Sequence, residues 1–417
     1  MESLAYRRYI TLLLLSVYVF NQADRAIFSI LMEPVKRALS LSDSELGFLA
    51  GPALVLMYVA FGVPIARLAD RIDRVHVMSG AIAIWSGVVM MSSLVGQFWQ
   101  FALTRIGVGI GEAGFSSVAQ SLISDYHDRN ERTRALSTFM LGIPLGGVVS
   151  ALMGGWINQA FGWRDAFLVV GAPGLVLAIL VNRTIKEPRV YTTSANTKSA
   201  ISQPTLQDIV ITLWTDLRLR HLALAQCLVN VVVASERSWL PTFLIRAHGV
   251  ATGKLGVYLA LLDGIGGVAG IWLGGYLTTR RSLGDESAQI RMMAVVTCLI
   301  GPTIGFALWT TSQSATLCAL IPGYVCMYFF FGPTYSMVQG LAPPNSSATL
   351  VSLFVFIQVL CGGVVGVQVL GVASDLLARN LSDEVLGLRY AMSGAALLSV
   401  WACVHFWLAS RAIQSKD

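Results

Sequence analysis

Apolar runs of about 20 residues, the length a helix needs to cross a bilayer, recur along the whole 417-residue chain. They fall near residues 9–32, 44–66, 76–95, 99–123, 135–160, 166–182, 222–246, 254–278, 290–310, 315–341, 347–377 and 385–410, and are called spans 1 to 12 here. The runs are continuous rather than alternating, which points to helices and away from a transmembrane barrel. Only 12% of the residues are charged, against roughly 25% in an ordinary soluble domain. The mean hydropathy of +0.67 leaves too little polar surface for large water-soluble domains and is too high for disorder. The first run follows Arg7 and Arg8, continues past signal-peptide length and shows no small-residue cleavage site, so it is read as a retained span. The six cysteines all lie in apolar runs without metal-ligand spacing and are expected to be small buried hydrophobes.

The basic residues set an expected orientation. With the N-terminus in the cytoplasm, 19 of the 29 Lys and Arg residues fall on the cytoplasmic side, and the positive-inside rule then places both termini there. The net charge of +6 follows from that bias, and no nucleic-acid partner is needed to explain it. The longest polar stretch, 183–220, separates six spans from six. The chain is thus expected to form an N-terminal six-helix bundle (1–186), a cytoplasmic linker (187–220) and a C-terminal six-helix bundle (221–417). Within the linker Leu206, Ile209, Val210, Leu213, Trp214 and Leu217 recur at helical spacing, the pattern of a short helix lying on the membrane surface.

The halves echo each other. Asp24-Arg25 in span 1 and Glu236-Arg237 in span 7 are 212 positions apart. Ala66–Arg71 and Gly275–Arg280, after spans 2 and 8, are 209 apart. Gly142 and Gly146 in span 5 answer Gly362 and Gly366 in span 11. Near-equal offsets in separate elements argue for duplication.

Charges inside spans are costly and mark function or pairing. Four acids, Asp24, Glu112, Glu236 and Asp263, and three arginines, Arg25, Arg105 and Arg237, stand there. Asp24 and Arg25 project about 100° apart on one helix and so seek partners on other helices. Arg105 and Glu112 are two turns apart on one face. Span 4 is therefore expected against span 1, with Asp24 near Arg105 or Glu112 near Arg25, a choice that spacing leaves open. The protonation of such a carboxylate responds to water access and to a neighbouring guanidinium, which makes Asp24 and Glu112 candidates for proton coupling. Arg25, Arg105, Glu236 and Arg237 are candidates for substrate binding or charge pairing, and Trp239, Tyr324 and Tyr328 for lining an apolar substrate path. The turn 70–74, with Asp70, Arg71 and Arg74, is paired with the loop 129–134, with Arg134, as a latch that breaks when a cavity opens. Ser42–Glu45 fits a helix capping box. The five histidines lie outside any hydrolase or zinc motif. No catalytic residue, metal or cofactor is expected, and the chain is read as a monomer.

The runs ARLADRIDR (66–74), RIGVGIGEAG (105–114), LGIPLGG (141–147) and GWRDAF (162–167) together resemble the major facilitator superfamily across nearly the whole chain. Within it ADR in span 1, GVPIARLADR, Trp85-Ser86, SLISDY (121–126) and VGAPG (170–174) look most like the spinster family of lysolipid and sphingosine-phosphate transporters. The small loops suggest a bacterial member, hence an inner-membrane protein. The resemblance implies proton-linked alternating access with an amphipathic cavity between two six-helix bundles. It supports Asp24, Arg25, Arg105 and Glu112 as the polar heart of the N-terminal bundle, and Asp70 and Arg71 as the latch. Departures are Asp73 in place of the usual glycine, Val75 in place of a basic residue, and Ser116-Ser117 where proline is common. The acid-Arg pair of span 1 and the EAG run also occur in organic anion symporters of the same superfamily, the alternative substrate class.

Overall fold

The computed structural model describes residues 3–188, 206–281, 285–341 and 347–414. They form helices α1 (Leu4–Leu39), α2 (Asp43–Ala50), α3 (Pro52–Arg71), α4 (Arg74–Met91), α5 (Phe98–Ala113), α6 (Ser116–Tyr126), α7 (Arg129–Met140), α8 (Gly142–Phe161), α9 (Trp163–Thr184) and α10 (Leu206–Thr215). These are followed by α11 (Leu217–His248), α12 (Thr252–Leu261), α13 (Val268–Arg281), α14 (Glu286–Trp309), α15 (Gln313–Phe329), α16 (Phe331–Leu341), α17 (Ser347–Val359), α18 (Val367–Leu381) and α19 (Glu384–Gln414). Among the described residues there is no strand. All twelve apolar runs fall on helix, and among the described residues nine segments are long and apolar enough by themselves to cross a membrane. Span 1 is diluted by Asn21, Asp24 and Arg25, span 4 breaks between α5 and α6, and span 10 breaks at Phe330.

Two compact units emerge. The first holds residues 3–188 with Leu240–Ala260, the second 206–239 with 261–414. The segment 240–260 joins the first unit through close backbone contacts: Gly155 and Gly256 face the backbones of Thr252 and Ala151, and Asn158 donates to the Thr252 hydroxyl at 3.0 Å.

Local chemistry sets the helix ends. Ser42 and Glu45 form the expected capping box at α2, and Pro52 occupies the first turn of α3. Asp73, the departure from the family pattern, caps α4 by accepting from the backbone N–H groups of Val75 and His76 at 2.8 and 3.1 Å. The stretch 129–134, expected as a loop, is instead the first turns of α7, with Glu131 favourably placed near its N-terminus. The linker helix is present as α10. It ends before Asp216, whose carboxylate accepts from the Arg218 backbone N–H at 2.9 Å and so starts α11 afresh. Ile211 and Trp214 on α10 are half exposed while Ile209 and Leu213 are buried, the division a surface helix needs. The cysteines are a correction: all are free, five are half-buried and Cys318 is exposed. In a bilayer the outer faces of helices are apolar too, so an apolar run does not tell inside from outside.

The glycine pairs confirm the internal repeat. A methyl group on Gly142 would lie 2.6 Å from the Tyr18 ring, and one on Gly146 would lie 2.5 Å from Gln22 Cβ and 2.6 Å from the Val19 carbonyl. One on Gly362 would lie 2.8 Å from the Asn230 carbonyl and 3.2 Å from Ala234, and one on Gly366 would lie 2.8 Å from the Val231 carbonyl. Asn230, Val231 and Ala234 stand 212 positions after Tyr18, Val19 and Gln22, the offset already seen for the acid-Arg pairs. The same helix approach is built twice.

Overpacking tests this reading. Gly146→Ala is expected to destabilise the purified protein by about 1–3 kcal/mol, read as a lower melting midpoint. Gly305→Ala, where an added methyl group meets nothing within 4 Å, should leave the midpoint unchanged.

Candidate functional site

Aromatic packing places the first site. Phe28 of α1 meets Phe101 of α5 edge-on at 5.3 Å, and Phe101 in turn packs on Phe167 and Trp163 of α9. One turn beyond Phe101, the Arg105 guanidinium lies 4.9 Å from the centre of the Phe28 ring, and the polar faces of α1 and α5 therefore meet. Both pairings left open by the sequence occur. Arg25 Nε donates to Glu112 Oε2 at 2.6 Å, and Arg105 Nη1 lies 3.9 Å from Asp24 Oδ1.

The two pairs differ in kind. Arg25 is one-third exposed over a Glu112 side chain that is wholly buried, and its guanidinium sits 4.4 Å from the Tyr58 ring centre. Asp24 and Arg105 are each 2% exposed at the side chain, yet no hydrogen bond reaches either Asp24 oxygen. Glu112 keeps one oxygen, Oε1, without a partner. Two acids and two arginines thus balance in charge while three carboxylate oxygens stay unsatisfied. Buried polar groups are normally hydrogen-bonded, and these three oxygens depart from that rule.

The second unit repeats the acid-Arg pair with different wiring. Arg237 Nη2 lies 3.3 Å from Asp263 Oδ2, the Tyr328 hydroxyl donates to Asp263 Oδ1 at 2.8 Å, and Arg237 lies 5.8 Å from the centre of the Tyr328 ring. Asp263 is offered by a π-helical turn, Leu262–Gly267, an irregularity often found at functional sites. Tyr324, 2% exposed, neighbours Tyr328 at 6.4 Å between rings. Glu236 is 1% exposed and has no partner at either oxygen. Trp239 is fully buried, its indole N–H donating to the Val367 carbonyl at 3.2 Å, so it packs α11 onto α18. Two of the scattered histidines, His221 and His405, meet with 3.0 Å between their Nδ1 atoms.

The latch residues divide. Arg74 is 1% exposed and held by Glu187 at 2.5 Å, Asp125 at 2.7 Å and the Ser121 hydroxyl at 2.8 Å. Arg71 and Arg134 are exposed, and neither joins an ion pair among the described residues. The side chain of Asp70 lies outside the described residues. The acids Asp125 and Glu187 were missed as partners, although Asp125 stands in the quoted SLISDY run; Glu187 lies just beyond the end of α9 at Thr184.

A further cluster was missed at the opposite end of the first unit. Arg246 donates to Glu33 at 2.7 Å and to both Asp43 oxygens at 2.6 and 2.8 Å, while Lys36 holds Asp43 at 2.9 Å and Arg37 holds Glu33 at 2.9 Å. Three basic residues on the side where the positive-inside rule expects few were the available signal, because each called for an acid.

The model of the Major Facilitator Superfamily matches residues 14–367. An MFS-type efflux pump of Mycolicibacterium smegmatis is 30% identical over 398 residues, covering 94% of this chain and 90% of that one. The sphingosine-1-phosphate transporter SPNS2 of Danio rerio is 25% identical over 406 residues, 90% of this chain and 78% of that one. The crystal structure of a bacterial homolog of the human lysosomal transporter Spinster superposes with a TM-score of 0.89 at 26% identity, covering 100% of this chain and 99% of that one.

The paired charges make a stability prediction. Arg105→Gln strips Asp24 of its cation and is expected to cost about 3 kcal/mol. Adding Asp24→Asn should recover most of that loss in a chemical-unfolding double-mutant cycle; additive losses would mean the two side chains do not interact.

Proposed function

The chain belongs to the major facilitator superfamily, its similarities within it support the spinster family, and it is a membrane transporter rather than an enzyme; from that premise we propose that it carries lysophospholipids or sphingoid-type lipids by proton-coupled alternating access. The observation that carries the reading is the buried Asp24–Arg105 and Arg25–Glu112 group. A carboxylate that lies within 4 Å of an arginine but accepts no hydrogen bond has its charge partly answered and its lone pairs free. Small changes in water access then shift its protonation, and a proton taken from one side is released when the site opens to the other. Asp24 and Glu112 carry the proton in this scheme. Arg25, one-third exposed, is the member of the group that reaches an anionic head group, which it binds in fork geometry. Arg74, with Asp125 and Glu187, braces the cytoplasmic end, and both termini face the cytoplasm of a bacterial inner membrane. The monomer is the working unit.

Purified protein in liposomes should move lysolipid when a pH gradient is imposed and stop when the gradient is collapsed. Asp24→Asn or Glu112→Gln should keep lipid binding and lose its dependence on pH. Transport of a water-soluble organic acid with no lysolipid flux would replace this reading with organic-anion symport.

A further inference from the structure

At the end of the first unit that carries the N-terminus, α1 and α7 border a cavity of about 360 Å³, inside the range of about 300–1,000 Å³ usual for small-molecule sites. None of the four charges of the α1–α5 group lines it. Arg7 Nη1 spans the two helices, donating to Glu131 at 3.0 Å and to Asp128 at 3.3 Å. That bridge sets the start of α7 against α1 and takes up Glu131, the acid on the cavity wall. The buried part of the wall is tied down as well. His127 donates from Nδ1 to the Ile123 carbonyl at 3.1 Å, and the Thr11 hydroxyl donates to the Arg7 carbonyl at 3.1 Å.

Two cations on the wall are left over. Arg8 of α1 and Arg134 of α7 both line the cavity and are exposed, and among the described residues neither guanidinium joins a hydrogen bond or an ion pair. Thr138, on the same wall, spends its hydroxyl proton on the Arg134 carbonyl at 2.9 Å. The free donors are therefore the two guanidiniums, whose planar forks match the oxygens of a phosphate.

The rim decides where that phosphate comes from. Leu4 and Leu12, one turn to either side of Arg8, are exposed and line the same cavity. Leu141 and Leu145 continue the Arg134–Thr138 face at helical spacing and are exposed too, within the membrane span 134–161. Cations at the end of a span, with an apolar path leading from them into the bilayer, fit an amphiphile, and basic pockets between spans take lipid head groups. A free phosphate ester gains nothing from the leucines.

We infer that this cavity binds the phosphate head group of an anionic phospholipid from the leaflet around it, the phosphate bridging Arg8 of α1 and Arg134 of α7. The bound lipid is a strut between the two helices, so anionic lipid stabilises this end of the first unit. The site stands whether or not the transported molecule is itself a lipid.

Native mass spectrometry of the full chain in non-ionic detergent tests it, with phosphatidylglycerol, phosphatidylcholine of the same chains, and glycerol 3-phosphate as the chainless probe. Wild-type protein should bind phosphatidylglycerol in preference to phosphatidylcholine, and its melting midpoint should rise as it does so. Replacing both arginines, Arg8→Gln with Arg134→Gln, should weaken phosphatidylglycerol binding roughly tenfold or more and remove the rise. Arg411→Gln, at an exposed arginine outside the cavity, should leave both unchanged. Thr138→Trp fills the cavity while keeping both charges, should weaken binding as well, and carries the test if the double variant does not fold. No preference for phosphatidylglycerol, unchanged affinity in the double variant or in Thr138→Trp, or an equal loss in Arg411→Gln would overturn the inference. Glycerol 3-phosphate binding as tightly as the lipid would overturn it too, by making the cavity a site for soluble phosphate esters.

Discussion

Within the first unit α1 and α5 meet at four charges. Two ion pairs inside an apolar bundle are a poor source of stability by themselves, because desolvation offsets most of their attraction. Their presence needs tight support, and the structure supplies it: Phe28 of α1, Phe101 of α5 and Phe167 of α9 meet edge to face, and Gly142 and Gly146 bring α8 close against α1. One pair is closed at 2.6 Å and the other held at 3.9 Å.

Duplication explains both what the halves share and where they part. The acid-Arg pairs and the α1 and α11 residues that meet the glycines recur at an offset of 212, so the backbone approach is inherited. The partners are not: Arg25 reaches α5, whereas Arg237 reaches Asp263 on a π-helical turn. One copy is charge-balanced and the other keeps an excess acid. The repeat preserves packing while changing the charge count.

Much of this was legible in the sequence because burying charge in a bilayer is so restrictive. Apolar length marked the spans, and the few charges within them marked Asp24, Arg25, Arg105 and Glu112. The choice between pairings was not legible, since spacing fixes the face of a helix but not the neighbour's register; the structure uses both. Arg74 read as a surface latch because its turn is polar, and its burial depends on Asp125 and Glu187, more than 50 residues away in the chain. The Glu33–Asp43–Arg246 cluster escaped for the same reason, as Arg246 lies 203 positions beyond Asp43. The start of α7 was missed because its first turns are too polar to show apolar periodicity.

The central claim is that the open Asp24–Arg105 pair is a proton-responsive element. Infrared difference spectroscopy of the carboxyl stretch during a pH titration of the purified protein tests it most directly. The account predicts a protonated-carboxyl band that appears on acidification, is missing in Asp24→Asn, and shifts when lysolipid is added. An identical band and titration in wild type and Asp24→Asn would contradict it.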